Sequence, residues 1–315
     1  MAIDKKFIDQ FVNITSKAAL ASSYLVGKKD KIAADKAAVD SMRSNLNNLD
    51  IRGQIVIGEG ELDEAPMLYI GEKLGTNKGP EFDIAVDPLE GTNFAANNLP
   101  GALSVIAIAE KNNLFKAPET YMEIISTRVN EKNVVDLDFT VKKNISNLSD
   151  YFNKNPENLT ACILDRPRHK KIIDELIKLK VNLKLITDGD VSGALLVTEE
   201  KYNVDIFLGI GGGPEGVLAA AALDAFNCNF QGRFLFKTEE EKARAKKMGI
   251  NDFTKKYELN EIVTGDSIFC ATGITSGDLV TGVEIQGNDF LTETLITHKS
   301  SGLKKVIKLK QIILS

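Results

Sequence analysis

Carboxylates are the residue type in this sequence with the clearest capacity for chemistry, because several of them directly follow short apolar runs. In DIAVDPLEGTN, residues 83–93, an apolar run is followed by Asp87 and Glu90 within four positions. Ligands of α/β sheets collect beyond strand ends, so we expect acids at such positions to meet in one pocket. Apolar runs that end in acids occur at Glu59 and Glu61, at Asp87 and Glu90, at Asp188 and Asp190, and at Glu215.

A cluster of these acids predicts a bound cation. Two carboxylates within about 4 Å of each other repel by about 4 kcal/mol at an effective dielectric constant of about 20. Several such pairs would cancel the stability of a domain unless cations or protons neutralise them. The only histidines are His169 and His298, and no cysteine lies near the acids, so the ligands are oxygens alone. Oxygen ligands favour Mg²⁺ or Mn²⁺ over zinc or copper.

Glycine-rich loops beside the acids indicate a phosphorylated ligand. Pro88 fixes its backbone φ angle and Gly91 permits close approach, so Asp87 and Glu90 can face one point. Pro214 is expected at the first position of a helix, whose amino terminus favours anions. The hydroxyl of Thr92 could then orient or deprotonate a metal-bound water. For any single loop, a solvated turn or a helix cap is the favoured interpretation, and only the loops taken together indicate a site.

Composition excludes several other classes of function. The 315 residues are 43% hydrophobic and 26% charged, with a formal net charge of −5 and scattered basic residues. This favours a globular chain with no nucleic-acid partner and no membrane partner. The amino-terminal segment lacks the pattern of a signal peptide, so we expect a cytoplasmic protein. Cys162, Cys228 and Cys270 are far apart and are expected to be buried, reduced thiols.

Periodicity predicts an α/β chain with two lobes, residues 1–150 and 151–315, whose boundary falls between residues 140 and 158. Two helices, a strand at residues 54–57 and a short helical stretch up to residue 73 precede the DIAVDPLEGTN strand. Residues 134–141 alternate like a half-exposed strand. Strands and helices then alternate in a three-layer second half, residues 237–250 form a solvated helix, and a hairpin turning at residues 300–302 ends the chain.

Longer motifs extend the argument from chemistry to a family. DPLEGT resembles the D-P-x-[DE]-G-T signature of the metal-dependent, lithium-sensitive sugar and inositol phosphatases. The chain resembles the class II fructose-1,6-bisphosphatases, the GlpX family, from about residue 7 to the carboxyl terminus. The motifs that carry this resemblance occur in the family's order and are VIGEGELDEAPMLYIGEKLG, DIAVDPLEGTN, APETYME, KLITDGDVSGALL, GIGGGPEGVLAAA and SIFCATGITSGDL.

The resemblance implies a fold, a reaction and a cofactor. The fold is a layered α-β-α-β-α sandwich of the α/β (α+β) class, the sugar phosphatase fold. The reaction is hydrolysis of the 1-phosphate of fructose 1,6-bisphosphate to fructose 6-phosphate in gluconeogenesis, with Mn²⁺ or Mg²⁺ and a metal-bound water oriented by Thr92. A homo-oligomer, dimer or tetramer, is also implied.

The resemblance also assigns roles to residues of this sequence. Arg166 and Arg168 would hold the phosphate that is not cleaved, and Asp188 and Asp190 would accept hydrogen bonds from sugar hydroxyls. The implied catalytic residues are Thr92, Glu90 and Asp87. The implied metal ligands are Asp35, Glu59, Asp87, Glu90 and Glu215. The implied substrate contacts are Glu90, Gly91, Thr92, Tyr121, Arg166, Pro167, Arg168, Asp188, Gly189, Asp190 and Gly212.

Several alternatives stay open at this point. The substrate could instead be sedoheptulose 1,7-bisphosphate, an inositol phosphate or a nucleotide bisphosphate. A protein of another class, a non-catalytic sensor of metal and sugar phosphate, would carry many of the same residues. Glu61 could join the metal ligands of Glu59 or could lie in solvent, and the arginines alone would also fit a solvated surface.

Overall fold

The computed structural model describes residues 2–60 and 67–313, and these divide into two compact units. Unit 1 consists of the described residues up to Lys116 together with those from Val263 onward, and unit 2 is Ala117–Ile262. These units differ from the predicted lobes 1–150 and 151–315, because residue 150 lies inside a helix of unit 2. The carboxyl-terminal strands, predicted for the second lobe, pair instead with strands of unit 1.

The described helices and strands follow one another in this order. Unit 1 begins with α1 (Lys6–Ser23), α2 (Lys31–Asn47), β1 (Arg52–Ile57), β2 (Lys73–Leu74), β3 (Glu81–Glu90), α3 (Thr92–Ala96) and β4 (Leu103–Glu110). Unit 2 contains β5 (Tyr121–Thr127), α4 (Val141–Phe152), β6 (Thr160–Leu164), α5 (Lys170–Lys178), β7 (Asn182–Ile186), α6 (Asp190–Leu195), β8 (Ile206–Gly212), α7 (Gly213–Asp224), β9 (Asn229–Leu235), α8 (Glu239–Lys247), β10 (Lys256–Glu258) and α9 (Leu259–Ile262). Unit 1 resumes with β11 (Ser267–Gly273), β12 (Glu284–Gln286), β13 (Asp289–His298) and β14 (Leu303–Ile312).

Unit 1 is built on a mixed sheet, sheet 1, with the order β12-β13-β11-β4-β3-β1-β2 and with β14 paired to β13. Strands β1 and β3 are parallel, and the other pairs are antiparallel. Helices α1 and α2 pack on this sheet because each has an apolar face. Phe11 and Ile14 of α1 and Met42 of α2 enter one core with Ile84 and Ile106 of the sheet. The predicted opening pair of helices is therefore confirmed.

Unit 2 is built on a second mixed sheet, sheet 2, with the order β10-β9-β5-β8-β6-β7. On one face, Leu148 of α4 and Leu176 of α5 share a core with Ile125 of β5. On the other face, a Cβ atom added to Gly216 of α7 would meet Met122 Sδ at 2.5 Å, so helix and strand are in close contact. Helices thus cover both faces, which confirms the predicted three-layer arrangement and the α/β class.

Two local predictions were wrong. Residues 134–141 form turns that lead into α4 and not a strand, because Asp136 and Asp138 are engaged by the Lys256 ammonium and Thr140 caps the helix. The predicted helical stretch before residue 73 is replaced at residues 67–72 by bends and a turn, in which Glu59 N–H donates to Leu68 O at 3.0 Å. Residues 61–66, including Glu61, lie outside the described residues.

Other local predictions are confirmed. The carboxyl-terminal hairpin turns at residues 300–302, between β13 and β14. The charged segment after β9 forms α8, and all three cysteines are buried thiols that are not part of a disulfide. Within residues 2–60 and 67–313, no helix has the length and apolarity that crossing a membrane requires.

Candidate active site

Two predicted metal ligands of unit 1, Glu59 and Asp87, lie at the same edge of sheet 1. Strands β1 and β3 run parallel, and Ile57 pairs with Ala85. Glu59 and Asp87 each follow these paired residues by two positions, so the register brings their backbones to neighbouring points. A Cβ atom at Gly58 would overlap the carbonyl oxygen of Leu68, which explains why glycine precedes Glu59.

The DPLEGT segment continues β3 where an exit loop was predicted. Asp87 pairs with Val105 of β4 and Glu90 with Leu103, so three positions of β3 oppose two of β4 in an irregular register. Pro88 lacks the N–H that a regular ladder needs, which accounts for the irregularity. The strand thereby carries Glu90 to a buried position with an exposure of 4%.

Gly91 reverses the chain direction between β3 and α3. Its φ of 79° lies in the left-handed region, and a Cβ atom there would meet the Phe94 ring at 2.7 Å. Thr92 is consequently the first residue of α3, directly after the buried Glu90. The sequence order acid, glycine, threonine therefore places the Thr92 hydroxyl beside the end of β3.

Asp35 lies in the second turn of α2, close to the same region. The loop before α2 is tied to α3, because Gly27 N–H donates to Ala95 O at 2.9 Å and Lys29 N–H donates to Ala96 O at 2.8 Å. Burial raises the pKa of Asp35 to about 6, and no neighbouring cation or hydrogen-bond donor among the described residues offsets that rise in pKa. The ionised carboxylate is therefore costly in this place without a counter-ion.

The predicted substrate contacts of unit 2 gather at one edge of sheet 2. Strands β6, β7 and β8 are parallel, so the chain leaves all three at the same edge. Strand β5 is antiparallel to β8, and its first residue, Tyr121, pairs with Gly212 at the end of β8. We call this the carboxyl edge of sheet 2, and it carries Tyr121, Arg166, Pro167, Arg168, Asp188, Gly189, Asp190, Gly212 and Glu215.

The cations of this edge are held by specific contacts. Arg168 Nε donates to the carbonyl oxygen of Ile210 at 2.9 Å, and its guanidinium carbon lies 5.1 Å from the centroid of the Tyr121 ring. Arg166 Nη2 lies 4.0 Å from Asp188 Oδ1. The arginines are thus anchored with their charged groups still accessible to a ligand, which is the arrangement that phosphate recognition requires.

Glu215 is a second carboxylate whose charge is disfavoured. Burial raises its pKa, its own backbone N–H partly opposes that rise, and the nearby charge of Asp188 adds to it. A Cβ atom at Gly212 would overlap the Glu215 carboxylate, and one at Gly211 would overlap the Asp190 carboxylate. The run of glycines after β8 therefore provides the space that these two acids occupy.

The predicted metal ligands suit a hard divalent cation by their chemistry. All are carboxylates, and Asp35 and Glu215 each bear a burial cost that a bound cation would relieve. Unit 1 holds Asp35, Glu59, Asp87 and Glu90, while Glu215 belongs to unit 2. Within residues 2–60 and 67–313, no three histidine, cysteine, aspartate or glutamate side chains form a group that could hold a metal ion. The ligand set therefore stays a prediction.

Sequence reasoning missed one cation of the carboxyl edge. Lys237 Nζ lies 4.2 Å from the centroid of the Tyr121 ring. The sequence had assigned residues 237–250 to a solvated helix, although α8 begins only at Glu239. The signal that could have found Lys237 is its position two residues after the apolar strand β9. Ile124, which follows the Tyr-Met-Glu motif, is buried and packs toward α7.

Comparisons with known proteins identify the family. Residues 5–311 match the family described as bacterial fructose-1,6-bisphosphatase, glpX-encoded. The chain belongs to this family. The predicted family and its class, a phosphatase of the hydrolases, are thereby confirmed, and the family is one of metal-dependent enzymes.

Individual relatives cover almost the whole chain. The fructose-1,6-bisphosphatase 1 class 2 of Escherichia coli strain K12 is 42% identical over 312 residues, which are 94% of this chain and 93% of the relative. The D-fructose 1,6-bisphosphatase class 2/sedoheptulose 1,7-bisphosphatase of Synechococcus sp. strain JA-3-3Ab is 38% identical over 324 residues, with coverages of 95% and 93%. Among solved structures, the extragenic suppressor protein suhB of Bartonella henselae aligns with a TM-score of 0.36 and 11% identity, over 62% of this chain and 73% of that chain.

Proposed function

We propose that this protein is a cytoplasmic phosphatase that hydrolyses the 1-phosphate of fructose 1,6-bisphosphate, with Mn²⁺ or Mg²⁺ as its cofactor. The observation that carries the proposal is the gathering of Tyr121, Arg166, Arg168 and Asp188 at the carboxyl edge of sheet 2. The Escherichia coli relative named as a fructose-1,6-bisphosphatase supports the substrate. The products would be fructose 6-phosphate and inorganic phosphate.

The cofactor would be held by the carboxylates of Asp35, Glu59, Asp87, Glu90 and Glu215. A bound divalent cation supplies positive charge for the phosphoryl oxygens and lowers the pKa of a water molecule. The buried position of Glu90 and the burial-raised pKa of Asp35 support these assignments, since both acids are costly as isolated anions.

The Thr92 hydroxyl would orient the attacking water. It belongs to the first residue of α3, where the irregular end of β3 and the left-handed Gly91 fix its backbone. In an in-line attack, the water oxygen would form a bond to phosphorus while the bond from phosphorus to the C1 oxygen of the sugar breaks; the water would release a proton to solvent and the departing C1 oxygen would take one up, which gives the sugar hydroxyl and inorganic phosphate. A threonine that accepts a hydrogen bond from this water holds the lone pair toward phosphorus, and catalysis then rests mainly on positioning.

The substrate would be aligned by unit 2. The guanidinium groups of Arg166 and Arg168 can each donate two hydrogen bonds to the phosphate that is not cleaved. Asp188 and Asp190 would accept hydrogen bonds from sugar hydroxyls, which fixes the rotation of the sugar about its long axis. Binding energy from this remote end would then place the 1-phosphate for attack.

A phosphate-release assay tests the proposed function. The purified protein is incubated with fructose 1,6-bisphosphate, fructose 1-phosphate, fructose 6-phosphate and inositol 1-phosphate, each with Mn²⁺, with Mg²⁺ and with a chelator. We expect the fastest release from fructose 1,6-bisphosphate, with one phosphate per molecule, and none with the chelator. If no substrate releases phosphate, the proposed activity is wrong and the non-catalytic sensor is the alternative that remains. If inositol 1-phosphate is hydrolysed faster than fructose 1,6-bisphosphate, the enzyme is an inositol phosphatase.

Sedoheptulose 1,7-bisphosphate is a second candidate substrate. The Synechococcus relative carries both activities in its name, and the two bisphosphates share the chemistry of the reacting end. Adding sedoheptulose 1,7-bisphosphate to the same panel measures the ratio of kcat/KM for the two sugars. We also propose a homo-oligomer, dimer or tetramer, on the basis of the family, and light scattering of the purified protein measures it.

A further inference from the structure

One strand end at the carboxyl edge of sheet 2 has no role in the proposed function. Strand β9 is antiparallel to β5, and its last residue, Leu235, pairs with Tyr121. Strand β9 therefore runs in the same direction as β8 and leaves the sheet at the edge where the predicted substrate contacts lie. Lys237 follows Leu235 by two positions, so the backbone brings it to that edge.

Lys237, in the segment after β9, and Arg168, in the segment after β6, both approach the aromatic ring of Tyr121. Lys237 Nζ lies 4.2 Å from the centroid of the Tyr121 ring, and the Arg168 guanidinium carbon lies 5.1 Å from it. Both distances are inside the range of about 6 Å over which a cation is attracted to a ring. Thr120 Oγ1 donates to Leu235 O at 2.8 Å, which fixes the chain beside Lys237.

Neither cation forms an ion pair with a carboxylate in the part of the chain that the structure describes. Among the described residues, no carboxylate lies within ion-pairing distance of the Lys237 ammonium or the Arg168 guanidinium. Of the acids that follow Lys237 in the chain, Glu239 pairs with Lys242, and Glu241 accepts hydrogen bonds from the backbone N–H groups of Lys237 and Thr238 in the cap of α8. Two positive charges that share one ring repel each other, and an anion bound between them would relieve the repulsion.

We infer that Lys237, together with Arg168 and the Tyr121 ring, binds the substrate phosphate that is not cleaved, and that Lys237 thereby selects sugar bisphosphates over monophosphates. The inference rests on the proposed function, because it takes the phosphate of that substrate as the anion. A lysine suits the role, since its flexible side chain carries a compact charge that can move from the ring to a phosphate oxygen. Lys237 contacts the remote end of the substrate and is a specificity-determining residue.

The test compares Lys237→Met with Lys242→Met. Lys242 is a matched control, because it is a lysine of α8 whose ammonium pairs with the exposed Glu239 away from the Tyr121 ring. We expect Lys237→Met to raise the KM for fructose 1,6-bisphosphate about 10-fold, as loss of one charge-assisted hydrogen bond predicts. The kcat and the KM for fructose 1-phosphate, which lacks the remote phosphate, should stay within about twofold of the wild type. Lys237→Arg should restore most of the affinity.

A binding measurement separates failure of the inference from failure of the proposed function. Fructose 6-phosphate carries only the remote phosphate, and calorimetric titration measures its affinity without any turnover. The inference is supported if Lys237→Met weakens this binding about 10-fold while Lys242→Met does not. It is overturned if both variants bind like the wild type, or if the KM values for bisphosphate and monophosphate rise equally. Absence of phosphate release from the wild type would refute only the hydrolytic activity.

Discussion

Glu90 of unit 1 and the cations Arg168 and Lys237 of unit 2 carry opposite charges and are held in different ways. Glu90 of unit 1 is fixed by the backbone, because it is buried at the irregular end of β3 and has little freedom to move. Arg168 and Lys237 of unit 2 are exposed cations at the ends of long side chains that lie against one ring. Buried acids pay a desolvation cost that a cation relieves, whereas exposed cations keep their hydration until a ligand arrives.

Because of this difference, we expect mutations in the two units to change different kinetic parameters. Changes to the acids of unit 1 should act on metal dependence and kcat, because the proposed function assigns them to the reacting phosphate. Changes to the cations of unit 2 should act on KM, because they alter binding of the remote phosphate. The variants below test this difference between the acids of unit 1 and the cations of unit 2, in order of decreasing expected effect.

Glu90→Gln should have the largest effect on turnover. The amide has the shape of the carboxylate without its charge, so the cation loses a ligand and several kcal/mol of charge stabilisation, or about 10³-fold in kcat. Glu81→Gln is the matched control, since Glu81 lies on the same strand at the opposite end, in an exposed ion pair with Lys111. Phosphate release is measured against Mn²⁺ concentration. Equal curves for both variants would contradict the role of Glu90.

Thr92→Ala should lower kcat about 10²-fold with little change in KM, because a positioned proton acceptor contributes about that much. Thr92→Ser keeps the hydroxyl and should recover most of the loss, while both variants should retain the melting temperature of the wild type within a few degrees. Initial rates over a range of fructose 1,6-bisphosphate concentrations separate kcat from KM. If Thr92→Ala turns over as fast as the wild type, the hydroxyl does not orient the water.

Gly212→Ala tests the one carboxylate that unit 2 adds to the predicted metal ligands. A Cβ atom at this position would overlap the Glu215 carboxylate, which must then move. We expect the Mn²⁺ concentration for half-maximal activity to rise about 10-fold, as for the loss of support to a metal ligand. Gly287→Ala is the control for a general loss of stability, since its φ of 62° strains an alanine although a Cβ atom there meets no atom within 4 Å, and the site lies in the hairpin between β12 and β13.

A raised metal requirement in Gly212→Ala, with an unchanged KM for the sugar, would show that Glu215 acts in metal binding. A raised KM with an unchanged metal requirement would show that Glu215 acts in substrate binding. Assays that vary Mn²⁺ and the sugar independently distinguish these two outcomes.

Asp266→Asn should leave activity unchanged and should lower stability. Burial opposes ionisation of Asp266, but hydrogen bonds from Ile3 N–H at 2.7 Å, Ser300 N–H at 2.8 Å, Ser300 Oγ at 2.8 Å and His298 Nε2 at 3.0 Å bring its pKa below the ordinary value of 3.8. A lowered pKa stabilises the fold above pH 3.8, and this contribution is lost as the pH falls through the folded-state pKa.

The loss of unfolding free energy in Asp266→Asn at pH 7 should be about 2 kcal/mol, the cost of weakening a buried charged acceptor. Urea unfolding at pH 7 and at pH 3 measures it, and the difference between variant and wild type should shrink at the lower pH. An equal difference at both pH values would show that the Asp266 charge contributes nothing to stability.

Sequence patterns predicted the parts of the site that depend on local order. The sequence predicted a tight turn that holds Asp87 and Glu90, but both residues continue β3, and the chain turns at Gly91, which adopts the left-handed conformation that only glycine enters easily. The parallel register of β1 and β3 brings Glu59 and Asp87 to the same edge of sheet 1, as the expectation of shared strand ends requires.

Features that depend on distant pairing could not be predicted. The chain of β11 pairs with β4 across more than 150 residues, and nothing in either strand specifies the other as its partner. Lys237 was assigned to a solvated helix because its proximity to Tyr121 arises from the pairing of Leu235 with Tyr121. The alternation of apolar and polar residues at residues 134–141 predicted a strand, and this prediction was wrong. Asp136 and Asp138 pair with Lys256 and do not alternate toward solvent along a strand.

Direct Mn²⁺ binding tests the central claim that the predicted carboxylate ligands, with the buried Glu90 among them, hold the cation. The electron paramagnetic resonance signal of free Mn²⁺ is followed as the wild type, Glu90→Gln or Glu81→Gln is added, without any sugar. We predict that the wild type and Glu81→Gln bind Mn²⁺ with the same dissociation constant, and that this constant is at least about 10-fold higher in Glu90→Gln, which corresponds to about 1.4 kcal/mol of lost affinity. Indistinguishable titrations of Glu90→Gln and the wild type would contradict the claim.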